Sequence, residues 1–317
     1  MRHMLAIIAC LFVLVANGQD YPARTMKLVV PVGPGGGTDI LARHMAQKMS
    51  ERLHQAVVVE NRPGAGTILG TQYVAKSAPD GYTLLMGGIF NMVMNKALVK
   101  NLPYEPLRDF VPLGYLSAYP FALVARADLP AASLKEFVAY AREHPGKLTY
   151  GSAGLGTLQH VWGTLLLKSL GLELVHVPFK SAPAVHQEML AGRIDLMMDN
   201  LSAVKHHVQS GRLKAYAVSC AERTPQLPEV PTLHESGVDF VGESWFAMFA
   251  PAATPSGVVS VLRGSIAQVL RDADFAARID RDGGRVLAIA PAEQGKFLQD
   301  EMERWGALVN RYRVGLD

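Results

Sequence analysis

The 317-residue chain is 49% hydrophobic and 19% charged, a balance that excludes wholesale disorder. Its formal charge of +3 comes without a run of five like charges, which excludes a nucleic-acid surface. At roughly 150 residues per domain the length suggests about two domains, each with its own core.

The first segment is a leader. Arg2 precedes a continuous apolar run over 5–15 (LAIIACLFVLV), followed by Ala16-Asn17-Gly18. A basic head, a short apolar stretch and small residues read as a secretory signal over 1–18, cleaved to leave an exported, periplasmic protein. As a helix the run would rise about 16 Å, half a bilayer core, too short for an anchor. Cys10 lies inside the run rather than at its end, against a lipid attachment. Once the leader is gone Cys220 has no partner, and its apolar neighbours predict a buried free thiol.

Residues 27–32 (KLVVPV) read as a strand, followed by Gly33-Pro34-Gly35-Gly36-Gly37. Leu41, Met45, Met49 and Leu53 then recur at helical spacing, with Thr38 or Asp39 placed to cap the start. A strand over 56–60, a helix over 67–77 and a strand from 83 to 86 follow. This β-α-β-α-β order with short apolar strands predicts a parallel sheet flanked by helices. The pattern restarts with a strand over 119–126, and Ser133-Leu134-Lys135-Glu136 forms a capping box for a helix to about 144. Strands over 148–151, 174–178, 194–199 and 213–219 alternate with helices over 157–170, 183–191 and 202–210, a second α/β unit. A turn-rich stretch over 224–231 leads to an apolar strand at 244–250. Three helices (256–270, 275–282, 292–312) and one weak strand (285–289) end the chain. Those last helices need a sheet to cover, so the chain is expected to cross back onto the first unit. The strands at 119–126 and 244–250 would then form a two-strand hinge between lobes, with a ligand cleft between them.

Two segments share one grammar: strand, glycine loop, helix. The loops are Gly33–Asp39 (GPGGGTD) and Gly151–Thr157 (GSAGLGT). At the carboxyl end of a parallel strand such a loop points free helix-start amides into the crevice and favours an anion. Ser152 and Thr157 add hydroxyl donors.

Enzyme motifs fail. No Gly-Lys-Ser/Thr ends either loop, the dinucleotide fingerprint lacks its last small residue, and Tyr150 stands where a nucleophile elbow needs glycine. Ser152, His160 and Asp199 can be drawn as a triad, but His160 lies one helical turn beyond the loop, where it orients a ligand or caps the loop. His206 and His207 are adjacent and diverge on a helix, so no metal and no cofactor is expected. Asp199 ends its strand toward the cleft, either accepting from a ligand hydroxyl or amine, or capping the next helix.

At these loops the sequence resembles the periplasmic solute-binding receptors of tripartite tricarboxylate transporters, the Bug-type family. Matching stretches are KLVVPVGPGGGTD (27–39), VVVENRPGAGTILGT (57–71), PDGYTLL (79–85), YGSAGLGTLQH (150–160), GRIDLMMDNL (192–201), LPEVPTLHESG (227–237) and SWFAMFAPAATP (244–255). The resemblance implies an α/β, two-lobed periplasmic-binding fold of type II. Lobe I would hold 19–122 plus 246–317, and lobe II 123–245. It implies closure over a small carboxylate and delivery to membrane permease subunits by a monomer with no nucleic-acid partner. By position, the contacts it implies are Gly36, Gly37, Thr38, Gly88, Ser152, Gly156, Thr157 and Asp199, with Asp39, Phe90, His160 and Ala182 beside them. A sensory subunit that signals without transport and a Ser152/His160 hydrolase are the competing classes. The chain departs from the family at Ile89-Phe90-Asn91-Met92, at Leu155 and Leu158, and at Phe179-Lys180-Ser181. These larger apolar side chains favour a ligand with an aromatic or aliphatic body.

Overall fold

A computed structural model describes residues 21–315; the expected leader, with Cys10, lies outside them. The strands are β1 (Met26–Val30), β2 (Val57–Asn61), β3 (Thr83–Gly88), β4 (Phe110–Arg126), β5 (Thr149–Ser152), β6 (Val175–Pro178), β7 (Leu196–Asn200), β8 (Leu213–Val218), β9 (Glu243–Pro251) and β10 (Arg285–Val286). The helices are α1 (Gly37–Leu53), α2 (Ile68–Ala75), α3 (Asn95–Leu98), α4 (Pro106–Asp109), α5 (Leu134–Glu143), α6 (Leu158–Ser169), α7 (Ala182–Leu190), α8 (Leu201–Gln209), α9 (Ser256–Leu270), α10 (Ala273–Arg281) and α11 (Gln294–Tyr312). One π-helical turn (Phe90–Met94) leads into α3.

One curled sheet runs β2-β1-β3-β9-β4-β7-β5-β6, with β10 and β8 also paired to β4. β1 pairs β2 and β3 in parallel, and β5 pairs β6 and β7 in parallel. Between these sets the 17-residue β4 is the spine. Its first part, Phe110–Pro120, pairs antiparallel with β9, and its second, from Phe121, pairs antiparallel with β7 and β8. The pairing changes partner at Pro120–Phe121. The chain returns through Ser219 and Gly242. Ser219 N–H donates to Phe121 O at 2.8 Å, its hydroxyl donates to Gly242 O, and Gly242 N–H donates to Ser219 O. β9 therefore begins at Glu243, directly after this crossing, and belongs wholly to the β1–β3 side.

Helices on both faces cover the sheet. α1, α9 and α10 bury Met45, Met49, Leu262, Ile266, Phe275 and Ile279 against one face of the β1–β3 side. α7 and α8 bury Val185, Met189 and Val204 on the β7 side. A larger cluster joins the two sides, with α11 laid across them and Trp305 stacked on Trp162 of α6 (centroids 5.0 Å apart, 13° between planes). Among the described residues no helix is long and apolar enough to cross a membrane. Cys220 is a buried free thiol, as its context predicts, its pKa pushed up to about 11 by burial.

Candidate functional site

The carboxyl ends of β1, β3, β5 and β7 open onto one cavity of about 1050 Å³. Each end is held by its own network.

After β1, the Asp39 carboxylate is buried and organises the glycine loop. It accepts from Gly35 N–H at 2.9 Å, Arg43 Nε at 2.9 Å and Asn61 Nδ2 at 2.8 Å. The Arg43 bond is the main reason its pKa falls to about 2. Gly35 sits at φ +87°, a left-handed conformation that glycine adopts without strain. With the loop thus folded, the amides of residues 37–39 open α1 with no backbone acceptor, and Gly37 and Thr38 line the cavity.

After β3, Gly87 and Gly88 are required by crowding. A Cβ on Gly88 would lie 2.8 Å from Trp245 O, and one on Gly87 would lie 2.6 Å from the Phe249 ring. Gly88 lines the cavity, but its N–H is already donated to Asn91 Oδ1 at 2.8 Å. Asn91 in turn donates to Thr71 Oγ1 at 2.9 Å, and its carbonyl accepts from the Tyr104 hydroxyl at 2.6 Å. Ile89, Phe90 and Asn91 all line the cavity.

After β5, the loop is tied to two stacked imidazoles. Gly156 N–H donates to His160 Nδ1 at 3.1 Å, and His160 stacks on His176 with centroids 4.5 Å apart. His176 Nε2 lies 2.7 Å from Ser152 Oγ. Burial lowers the pKa of both imidazoles, that of His176 to about 4 with a contribution from His160. The Thr157 hydroxyl donates to Gly154 O at 2.7 Å and accepts from His160 N–H, so it caps α6 rather than standing free. Gly156 and Thr157 line the cavity beside Leu155, Leu158 and Gln159, while the amides of Leu158 and Gln159 have no backbone acceptor.

After β7, Asp199 is fully buried. It accepts from Gln159 Nε2 at 3.0 Å, from Asn200 N–H at 2.8 Å and from His186 Nε2 at 2.7 Å. Asn200, Ser202 and Ala203, at the start of α8, line the cavity in its place, with Lys205 a turn further on and Arg281 of α10 nearby.

Of the candidates from the sequence, Gly37, Thr38, Gly88, Phe90, Gly156 and Thr157 line the cavity; Gly36, Asp39, Ser152, His160, Ala182 and Asp199 do not. Gly36 precedes α1 as its N-cap and Ala182 opens α7. Asp39, Ser152, His160 and Asp199 are buried and absent from the cavity lining; the two carboxylates, the Ser152 hydroxyl and His160 Nδ1 are met by loop, strand and helix neighbours. The Ser152-His160 pairing of a hydrolase is absent: Ser152 has no exposed surface and meets His176 instead. Gln159, Asn200, Lys205 and Arg281 escaped sequence reasoning. Gln159 sits in the quoted stretch YGSAGLGTLQH, and its first-turn position was the available signal.

The arrangement is three helix starts, those of α1, α6 and α8, facing one largely apolar cavity. Their free amides and dipoles favour an anion without a salt bridge. The family described as "Tripartite tricarboxylate transporter family receptor" matches residues 41–314. The chain belongs to that family. A Pseudomonas relative described as "UPF0065 protein in tcbD-tcbE intergenic region" is 37% identical over 93% of this chain and 88% of its own length. Protein BugT of Bordetella pertussis is 33% identical over 98% and 97% of the two chains. A solved R. palustris protein, described as being with adipate, superposes with a TM-score of 0.80 at 32% identity, covering 92% of this receptor chain and 98% of that one. The two-lobed α/β fold of these receptors is the fold of this chain.

Proposed function

We propose that this chain is an extracytoplasmic receptor that closes over a small carboxylate and delivers it to the permease subunits of a tripartite transporter. It acts as a monomer and catalyses no reaction. The observation that carries the reading is the convergence of the α1, α6 and α8 starts, each leaving backbone amides unmet, on one cavity. The adipate in the R. palustris relative supports a carboxylate as the class. The lobes, expected as 19–122 with 246–317 and as 123–245, are proposed to move about Pro120–Phe121 and Ser219–Gly242, which puts Phe121 and Ala122 with lobe II and β9 from Glu243 with lobe I. Support comes from β4 and that return being where pairing changes from β9 to β7 and β8. Within the site, Gly37, Thr38, Leu158 and Gln159 are proposed to meet the anion through their amides. Phe90, Leu155 and Leu158 hold the apolar body of the ligand, a feature supported by Ile89 and Phe90 both lining the cavity. Export by a cleaved leader over 1–18 is supported by its composition.

A thermal-unfolding screen of mono- and dicarboxylates tests the reading. A true ligand at 100 times its Kd should stabilise the fold by about 2.7 kcal/mol. No stabilisation by any aliphatic or aromatic carboxylate, set against stabilisation by neutral sugars or amines, would refute it.

A further inference from the structure

We infer that Gln159, held by Asp199, reads a hydroxyl beside the bound carboxylate, so that this receptor selects 2-hydroxy acids over their deoxy counterparts; the inference rests on the carboxylate-receptor reading above. Gln159 stands in the first turn of α6 and lines the cavity. Its Nε2 donates to Asp199 Oδ1 at 3.0 Å. A carboxylate accepts and does not donate, so the amide cannot present its oxygen to Asp199. The same Asp199 oxygen takes the Asn200 amide at 2.8 Å, and the other is met by His186 Nε2 at 2.7 Å. The acid is therefore fixed on two sides and has no exposed surface of its own. Asp199 takes one of the two Nε2 hydrogens, which leaves Gln159 one amide hydrogen and one acceptor, Oε1.

That acceptor lies one residue from the free amide of Leu158 and shares a residue with another, its own. A carboxylate settling on those amides can accept the remaining Nε2 hydrogen but has no hydrogen to give Oε1. A ligand satisfies both when the atom next to its carboxyl carbon bears an O–H. Leu155 and Leu158 supply apolar cavity wall beside Gln159, where an unmet acceptor is costly. Asp199 touches no ligand in this scheme; it is a positioning residue that fixes which way the amide faces.

Calorimetry with two matched pairs tests the inference: adipate against 2-hydroxyadipate, and phenylacetate against mandelate. For the wild type the hydroxylated member of the better-binding pair should bind about tenfold tighter, the worth of one hydrogen bond. In Gln159→Met, which keeps length and removes the acceptor, that ratio should fall below about twofold. Asp199→Asn frees the amide to turn over and should also erode the ratio, with thermal unfolding reporting separately on the fold. Equal binding of the two members to the wild type, or a preference that survives Gln159→Met, overturns the inference. If none of the four acids binds the wild type, the carboxylate reading itself falls and this inference with it, an outcome distinct from binding without preference.

Discussion

Asp39, Thr157 and Asp199 are polar residues at strand ends, where a sequence reading takes them for ligand contacts. Each is already committed within the protein, Asp39 and Asp199 behind the cavity wall and Thr157 on it. Asp39 holds the first loop through Gly35, Arg43 and Asn61, Thr157 caps α6, and Asp199 fixes Gln159. The loops and their helices were legible from glycine runs and spacing. The division of labour was not, because it depends on which atoms are already satisfied. By contrast the cap at Ser133–Glu136 was legible because its bonds are local: Glu136 N–H donates to Ser133 Oγ at 3.2 Å, while the Glu136 carboxylate accepts from Ala132 N–H at 2.8 Å, one residue before the expected N-cap. Asp39→Asn removes a carboxylate whose pKa is depressed to about 2, so the stabilisation it gives is present above the ordinary carboxylate range and lost as pH falls through 2. The variant should be less stable than wild type by about 1–2 kcal/mol at pH 7, and the gap should close toward pH 2. Urea unfolding at the two pH values reads this; a gap independent of pH would deny the carboxylate its role. The stacked imidazoles have the same sign at higher pH. Their pKa values are lowered, so their contribution is whole above about 6.5, the ordinary histidine value, and fades as pH falls through the lowered values, about 4 for His176. Protonated His160 cannot accept from Gly156 N–H at Nδ1, so the second loop should loosen. Hydrogen exchange at Gly156 should therefore accelerate, beyond its intrinsic pH trend, between pH 7 and 4.5. An unchanged protection factor across that range would contradict this.

At the scale of elements, the parallel strands and amphipathic helices follow from short apolar runs alternating with helical spacing. β4 shows where that reading stops. Only 119–126 was legible as strand, whereas the strand begins at Phe110. Pro112, Gly114 and Pro120 break the pattern, and the sheet absorbs them by register shifts at Pro112/Gly114 and Tyr115/Ser117. The π-helical turn at Phe90–Met94 carries no period of its own and is held by tertiary bonds of Asn91 and Asn95. α11 was legible as a helix, but its partner was not. Trp305 and Trp162 stack across the two sides, both fully buried. Trp305→Ala should cost about 3–5 kcal/mol in chemical denaturation, the usual penalty for emptying a large aromatic site. A loss under about 1 kcal/mol would show that α11 is not a structural tie between the sides.

For the whole molecule, a continuous curled sheet carries one cavity onto which the starts of α1, α6 and α8 open, and the anion binding proposed for it comes from backbone amides. Composition and chain order pointed to two α/β units and to a cleft, and the family resemblance supplied the carboxylate. The apolar walls were foreshadowed by Ile89, Phe90, Leu155 and Leu158. The lining cations Lys205, Arg278 and Arg281 were not, since they come from α8 and α10, which are far apart in sequence. The most direct measurement is calorimetry of the tightest-binding acid from the carboxylate screen beside its primary amide. The amide keeps the shape and one oxygen but loses the charge, so it should bind at least about tenfold more weakly than the acid, the worth of a hydrogen bond to a charged group. An amide that binds as tightly as the acid would contradict the account, because helix-start amides discriminate by charge.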